Sequence, residues 1–294
     1  MRKSASSFWA VALATSLCLT SSASAELIYG IAAVGNATAL VTWDSSSPGD
    51  LESSAFMTGL QSNETIVGID FRPSTGQLYG LGSSSRLYTI STSGVAAQVG
   101  GPGSFSPALN GFNFGFGFNP VIDRIRVVSE TNSNRVLNPN DGSAATATNL
   151  FYGPADPNFG VDPNVVHSAY SNDFDGAVTT QLYGIDSGLN ILVTQANSAG
   201  TLGAVGPLGV DIGAVGGFDI SGVTGVAYAT LLPAGSSVSQ LYSISLLTGA
   251  ATNLGVIDGG LIITAMAVAI PEPSTVALAF GALVAGVFVR RRRS

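Results

Sequence analysis

The chain has 294 residues, of which 46% are hydrophobic and 10% charged, with 37 glycines; this argues against disorder and, with no Gly-X-Y period, excludes collagen. Its formal charge of −7 hides an asymmetry: residues 26–270 carry 17 carboxylates against five arginines, a net charge of −12, and no lysine follows Lys3. Such a body offers no electrostatic footprint for a phosphate backbone, so nucleic acid is not expected as a partner.

The first segment reads as an address. Arg2 and Lys3, the apolar run Phe8 to Leu19 and the small residues Ala23-Ser24-Ala25 form a secretory signal peptide over residues 1–25, with cleavage predicted after Ala25. The run is shorter than the ~20 residues a membrane span takes, which disfavours an uncleaved anchor. Cys18, the single cysteine, follows the bulky Leu17, where a lipid-modification site has a small residue. The body therefore has no disulfide framework and no thiolate metal site, and its stability must come from packing and strand pairing.

Residues 26–270 are then predicted to form one repeat domain, organised around residues 66–100. There four short apolar, β-branched and aromatic runs, Ile66 to Arg72, Gln77 to Gly80, Arg86 to Ile90 and Val95 to Val99, are separated by Pro-Ser-Thr-Gly, Gly-Ser-Ser-Ser and Ser-Thr-Ser-Gly. Those are turn compositions, so the unit reads as a four-stranded antiparallel meander. One meander cannot bury both of its faces and must stack on copies of itself.

The copies are present. Gly68-Ile69-Asp70-Phe71-Arg72-Pro73 is echoed by Gly115-Phe116-Gly117-Phe118-Asn119-Pro120, by His167-Ser168-Ala169-Tyr170-Ser171-Asn172, by Gly217-Phe218-Asp219-Ile220-Ser221-Gly222 and by Ala265-Met266-Ala267-Val268, a spacing of ~50 residues that is the period of propeller blades. Second strands follow at Leu78-Tyr79-Gly80, Ile125-Arg126-Val127, Leu182-Tyr183-Gly184 and Val226-Ala227-Tyr228, but the fifth copy, Leu27-Ile28-Tyr29-Gly30, opens the mature chain. The orphaned last strand, Ile262 to Ala269, should pair with it. The expected fold is all-β: a five-bladed β-propeller closed by pairing of the N- and C-terminal strands, which removes the exposed edge of an open array. A β-helix or a sandwich is the competing architecture. Phe112, Phe114, Phe116 and Phe118 are expected on one face of a strand, with Gly115 and Gly117 opposite, where they let neighbouring blades approach.

The last segment, 271–294, holds Pro271-Glu272-Pro273, 16 uncharged residues from Ser274 to Val289 and the cluster Arg290 to Arg293. As a helix the uncharged stretch spans roughly 24 Å, which snorkelling arginines extend towards a ~30 Å hydrocarbon core. Four arginines behind the span should stay cytoplasmic, leaving the body outside the inner membrane. This tail resembles the PEP-CTERM sorting signal of Gram-negative bacteria. The resemblance implies recognition by an exosortase-type membrane enzyme at Pro271, Glu272 and Pro273, a transient inner-membrane anchor, and delivery to the cell surface or the extracellular matrix. An ordinary C-terminal anchor is the alternative. The body, over roughly residues 27–269, resembles an uncharacterised bacterial family catalogued as domain of unknown function 4394, whose members carry Leu-Tyr-Gly strands; that resemblance supports the fold and implies no activity.

The chemistry on offer is thin. Asp70 and Asp219 sit at equivalent places on first strands and could act as acid and base in glycoside hydrolysis, although Asp at a strand end more commonly binds backbone amides. His167 is the only histidine, so a Cys-His pair, a lysine nucleophile and a multi-histidine metal site are all absent, and no Gly-x-Ser-x-Gly elbow occurs. Asp156-Pro157-Asn158, Asp162-Pro163-Asn164 and Asp173-Phe174-Asp175-Gly176 would suit calcium as oxygen-rich loops but fit no EF-hand spacing and are ordinary turn formers. Asn138 to Gly142 reads as a plain hairpin turn. No catalytic, cofactor or metal residue is therefore assigned. The expectation is a secreted, non-enzymatic binding or structural protein whose partner is exopolysaccharide or another surface protein, the opposing reading being an extracellular polysaccharide hydrolase using Asp70 and Asp219.

Overall fold

Turn chemistry cuts the chain into short strands. At the Pro73–Gly76 turn, for example, Gly76 takes the left-handed φ of +66° and its amide donates back to the Arg72 carbonyl at 2.8 Å, a conformation that costs glycine least. The computed structural model describes residues 25–35 and 37–270. Residues 1–24 of the predicted signal peptide, and the sorting segment with Pro271, Glu272 and Pro273, lie outside the described residues.

In chain order the strands are β1 (Leu27–Val34), β2 (Ala37–Asp44), β3 (Leu51–Phe56); β4 (Ile66–Arg72), β5 (Gln77–Gly82), β6 (Arg86–Ile90), β7 (Ala96–Gln98); β8 (Phe114–Asn119), β9 (Arg124–Ser129), β10 (Asn134–Leu137), β11 (Ala144–Thr146); β12 (Phe151–Tyr152), β13 (Val165–Tyr170), β14 (Leu182–Asp186), β15 (Ile191–Gln195), β16 (Thr201–Pro207); β17 (Ile212–Ile220), β18 (Ala227–Pro233), β19 (Gln240–Ile244), β20 (Ala251–Val256); and β21 (Ile262–Val268). They form five sheets: β21-β1-β2-β3, β4 to β7, β8 to β11, β13 to β16 with β12 added, and β17 to β20. We number these blades 1 to 5. Helix among the described residues amounts to two single 3-10 turns.

Blade 1 closes the ring. β21 runs antiparallel to β1 with Ile28 opposite Val268 and Ala33 opposite Ile262, and the Ala269 amide donates to the Leu27 carbonyl at 2.8 Å. The two ends of the body thus complete one sheet, as the orphaned second-strand motif predicts. The innermost strands β4, β8, β13, β17 and β21 pack side by side around the axis, and between each pair of adjacent blades lies one apolar cluster, five in all. Trp43, Tyr88, Phe118 and Tyr152 are among the largest fully buried side chains. The inner strands of every blade are covered by the neighbouring blades, while the outer strands β3, β11 and β20 stay mostly exposed, which meets the requirement that no meander stand alone.

Glycine on the inner strands permits this approach. A Cβ at Gly217 would lie 2.4 Å from the Met266 amide nitrogen of blade 1, and one at Gly115 would lie 2.6 Å from the Ser168 amide nitrogen of blade 4. The Asn138–Gly142 hairpin forms between β10 and β11, with the Gly142 amide on the Asn138 carbonyl.

Two expectations need correction. Phe112 does not extend the alternating run: β8 begins at Phe114, and Phe112 is 88% exposed. The Glu130 carboxylate takes the Phe112 and Asn113 amides at 2.6 and 3.0 Å, which draws this segment out of the ladder. Blade 4 also has a fifth, two-residue strand, β12, which pairs parallel to β16 and was not foreseen.

Candidate functional site

All inner strands run the same way along the axis, so the ring has two chemically distinct ends. At the end where they start, a cavity of about 210 Å³ opens between Ala32, Thr65, Phe114, Val215 and Thr264, with Phe112 at its rim. None of its lining residues is charged. His167, on β13, contributes to both this cavity and the narrow passage beneath it. Its Nε2 would lie 3.2 Å from a Cβ at position 216, so the ring rests over Gly216. That nitrogen is buried with no hydrogen-bond partner among the described residues. Burial holds the imidazole down to about pKa 4, so it is neutral at physiological pH.

At the far end, where the inner strands finish, three carboxylates meet. Asp70 on β4, Asp219 on β17 and Asp173, three residues beyond β13, each place an oxygen within 4.8 Å of the others, and all three are buried. Asp70 and Asp219 are built alike. Asp70 accepts the Phe71 amide at 2.7 Å and the Phe118 amide of blade 3 at 2.6 Å. Asp219 accepts the Ile220 amide at 2.7 Å and the Val268 amide of blade 1 at 2.6 Å. Each carboxylate thus clasps its own strand end to the next blade. Burial, reinforced by mutual repulsion, keeps Asp70 and Asp173 well above the usual carboxylate range, and burial raises Asp219 to about 6 against its two amide bonds.

The structure places Asp70 and Asp219 at the axis, as their equivalent repeat positions suggest. It also engages all four of their oxygens with backbone amides, as a strand-end Asp does. Neither residue lines the axial cavity or the passage below it.

The three oxygen-rich loops do not come together. Asp156 caps the amides of Asn158 and Ala204, Asp162 accepts from the Asn132 side chain, and Asp173 alone turns to the axis. Sequence reasoning therefore grouped Asp173 with the wrong partners. Its position three residues past a degenerate strand gave no periodic signal, because the loop after β13 has no counterpart in the other blades.

No curated protein matches the chain. Among solved structures it is similar to a structural-genomics protein of unknown function from Bacteroides thetaiotaomicron, at 14% identity over 78% of this chain and 57% of that one, with a TM-score of 0.47. It thus spans little more than half the length of that relative. It is also similar to a gluconolactonase from Xanthomonas campestris, at 14% identity over 81% of this chain and 78% of that one, TM-score 0.44, and to the WD40 domain of Toxoplasma gondii coronin, at 13% identity over 81% and 70%, TM-score 0.41. None of the three reaches a TM-score of 0.5, and none contributes to the functional reading. The family profile is more direct, since it covers most of the described body. Over residues 39–267 the sequence matches the domain of unknown function DUF4394, and the chain belongs to that family.

Proposed function

We propose that this protein is an exported, non-enzymatic binding propeller, held at the cell surface or in the exopolysaccharide matrix, that takes a neutral saccharide of a matrix polymer in the axial cavity. The observation that carries this reading is the opposition of the two ends. The C-terminal end of the body leaves β21 beside the three carboxylates, while the uncharged cavity opens on the other face. A body tethered through its tail presents the cavity outward.

The lining suits a sugar. Phe112 is an exposed aromatic rim on which the C–H face of a pyranose can stack, Thr38, Thr65, Asn113 and Thr264 offer hydrogen bonds, and neutral His167 adds no charge at the base. The net charge of −12 on residues 26–270 repels uronic-acid or sulfated polymers and favours neutral ones. The expected export by the leader ending at Ala25 and processing at Pro271, Glu272 and Pro273 by an exosortase-type enzyme rest on the sequence of those segments. A hydrolase using Asp70 and Asp219 is disfavoured because backbone amides occupy both carboxylates and neither lines the axial cavity.

The test is calorimetric titration of residues 26–270 with neutral and with anionic polysaccharides, together with an assay for released sugar. Retention of the neutral polymer without release, weakened about two- to tenfold by Phe112→Ala, is the expected result, since one aromatic contact is worth about 0.5–1.5 kcal/mol beyond its buried area. Sugar release abolished by Asp70→Asn would overturn it in favour of the enzyme.

A further inference from the structure

The acidic end of the axis supports a second site, independent of the ligand proposed for the cavity. We propose that Asp70, Asp173 and Asp219 bind a hard divalent cation of the calcium class, which ties blades 2, 4 and 5 together on the propeller axis. Convergence of three carboxylates is the first observation: one oxygen of each lies within 4.8 Å of the others, and all are buried.

The second is the state of Asp173. It is 3% exposed, and its Oδ1 is buried without a hydrogen-bond partner. A buried carboxylate oxygen left unpaired is costly unless a donor, a proton or a metal meets it. No basic side chain does. Arg72 pairs with Asp123 and Arg86 with Glu64; Arg126 bonds Asn134 and Ser198; Arg124 donates to the Asp123 carbonyl and Arg135 to Thr146. The charged groups acting on the three aspartates are one another and Glu26, all acidic.

The loop that delivers Asp173 is shaped for the purpose. Its backbone carbonyl sits 1.9 Å from where a Cβ at Gly222 would be, so only glycine at 222 lets this segment lie against blade 5. Asn172 adopts φ +55° and anchors the loop by donating from its side chain to the Thr179 carbonyl at 2.9 Å. Asp70 and Asp219 are held in fixed orientation by their amide bonds. Each of their oxygens still has a lone pair for a cation after accepting one amide. The donors are all oxygen, with no nitrogen or sulfur among them, which selects a hard ion; water and backbone carbonyls would complete the six to eight ligands calcium takes. Because Asp70 also holds Phe118 of blade 3 and Asp219 holds Val268 of blade 1, all five blades meet at this point.

The experiment strips the purified body with chelator, then follows its thermal midpoint while calcium, magnesium or manganese chloride is added. Bound metal in untreated protein is counted by elemental mass spectrometry. The expected result is about one ion per chain and a midpoint rise of about 5–10 °C with the ion at a hundredfold over its dissociation constant. Asp173→Asn should abolish the rise, and Asp175→Asn, exposed two residues away, should keep it. No shift with any of the three ions and no bound metal would overturn the proposal, as would an undiminished shift in Asp173→Asn. Should that variant fail to accumulate, the metal count and the midpoint of the wild-type body decide alone. Neither readout involves polysaccharide, so this site and the cavity stand or fall separately.

Discussion

Burial of the His167 imidazole makes a quantitative demand on the pH dependence of folding. Its pKa falls from the ordinary 6.5 to about 4 in the folded ring, so between those values the unfolded chain binds the proton that the native chain refuses. Stability is therefore complete above about pH 6.5 and lost as pH falls towards 4. A shift of roughly 2.5 units at ~1.4 kcal/mol each gives a loss of about 2 kcal/mol by pH 5 and about 3 kcal/mol by pH 4. That is a sizeable part of the ~5–15 kcal/mol that holds a typical domain together. No charged residue lines the cavity or the passage around the ring, so nothing offsets the burial. The assay is urea unfolding of wild type and His167→Gln at pH 7, 5 and 4, all in chelator. The axial aspartates, whose raised pKa values act in the opposite direction, contribute to both proteins and cancel in the difference. The variant should lose about 2–3 kcal/mol less than wild type on acidification, whatever its stability at pH 7. Parallel profiles for the two proteins would refute the claim that the imidazole is buried and neutral.

The same inter-blade packing sets the effect of other substitutions. Gly217→Ala sets a Cβ 2.4 Å from the Met266 amide nitrogen, a backbone clash that should cost about 1–3 kcal/mol and lower the thermal midpoint by several degrees. Phe112→Ala, by contrast, removes a side chain that is 88% exposed; its stability should change by no more than about 0.5 kcal/mol in the same melts, while polysaccharide binding falls. Arg72→Ala deletes the paired hydrogen bonds to Asp123 that tie blade 2 to blade 3. Its effect should be about 1 kcal/mol and should shrink at high salt, because the pair is only partly buried; denaturant midpoints at two ionic strengths check this.

The ring was legible in the sequence because its signals are local and periodic. The first-strand copies recur at about the length of a blade, and the displaced Leu27-Ile28-Tyr29-Gly30 motif told which strands must close the sheet; β21 pairs with β1 in that way. Gly115 and Gly117 could be read as close-approach positions because they alternate with Phe114, Phe116 and Phe118, and the inter-blade contacts they permit are present; Gly217, which makes the same approach to blade 1, carried no such alternation. The site was only half legible. Asp70 and Asp219 could be placed at equivalent points on two blades, but that Asp173 joins them depends on how a loop unique to blade 4 folds back over the axis, and no local rule encodes that path. Phe112 misled for a related reason: its alternation with Phe114 is real in sequence, but the Glu130 carboxylate, 18 residues on, captures its amide and removes it from the strand.

Closure of the ring by β21 underlies the proposals above, since it fixes both the cavity and the end of the axis at which the described chain finishes. The body from residue 26 onward contains no cysteine, so the double variant Ala33→Cys/Ile262→Cys, which places a thiol on each of two facing positions of β1 and β21, isolates the question. Mild oxidation should consume both thiols within single chains and raise the unfolding free energy by up to about 5 kcal/mol, the value for cross-linking a loop of roughly 230 residues. Two thiols that stay free, or that link only one chain to another, would contradict the closed five-bladed ring.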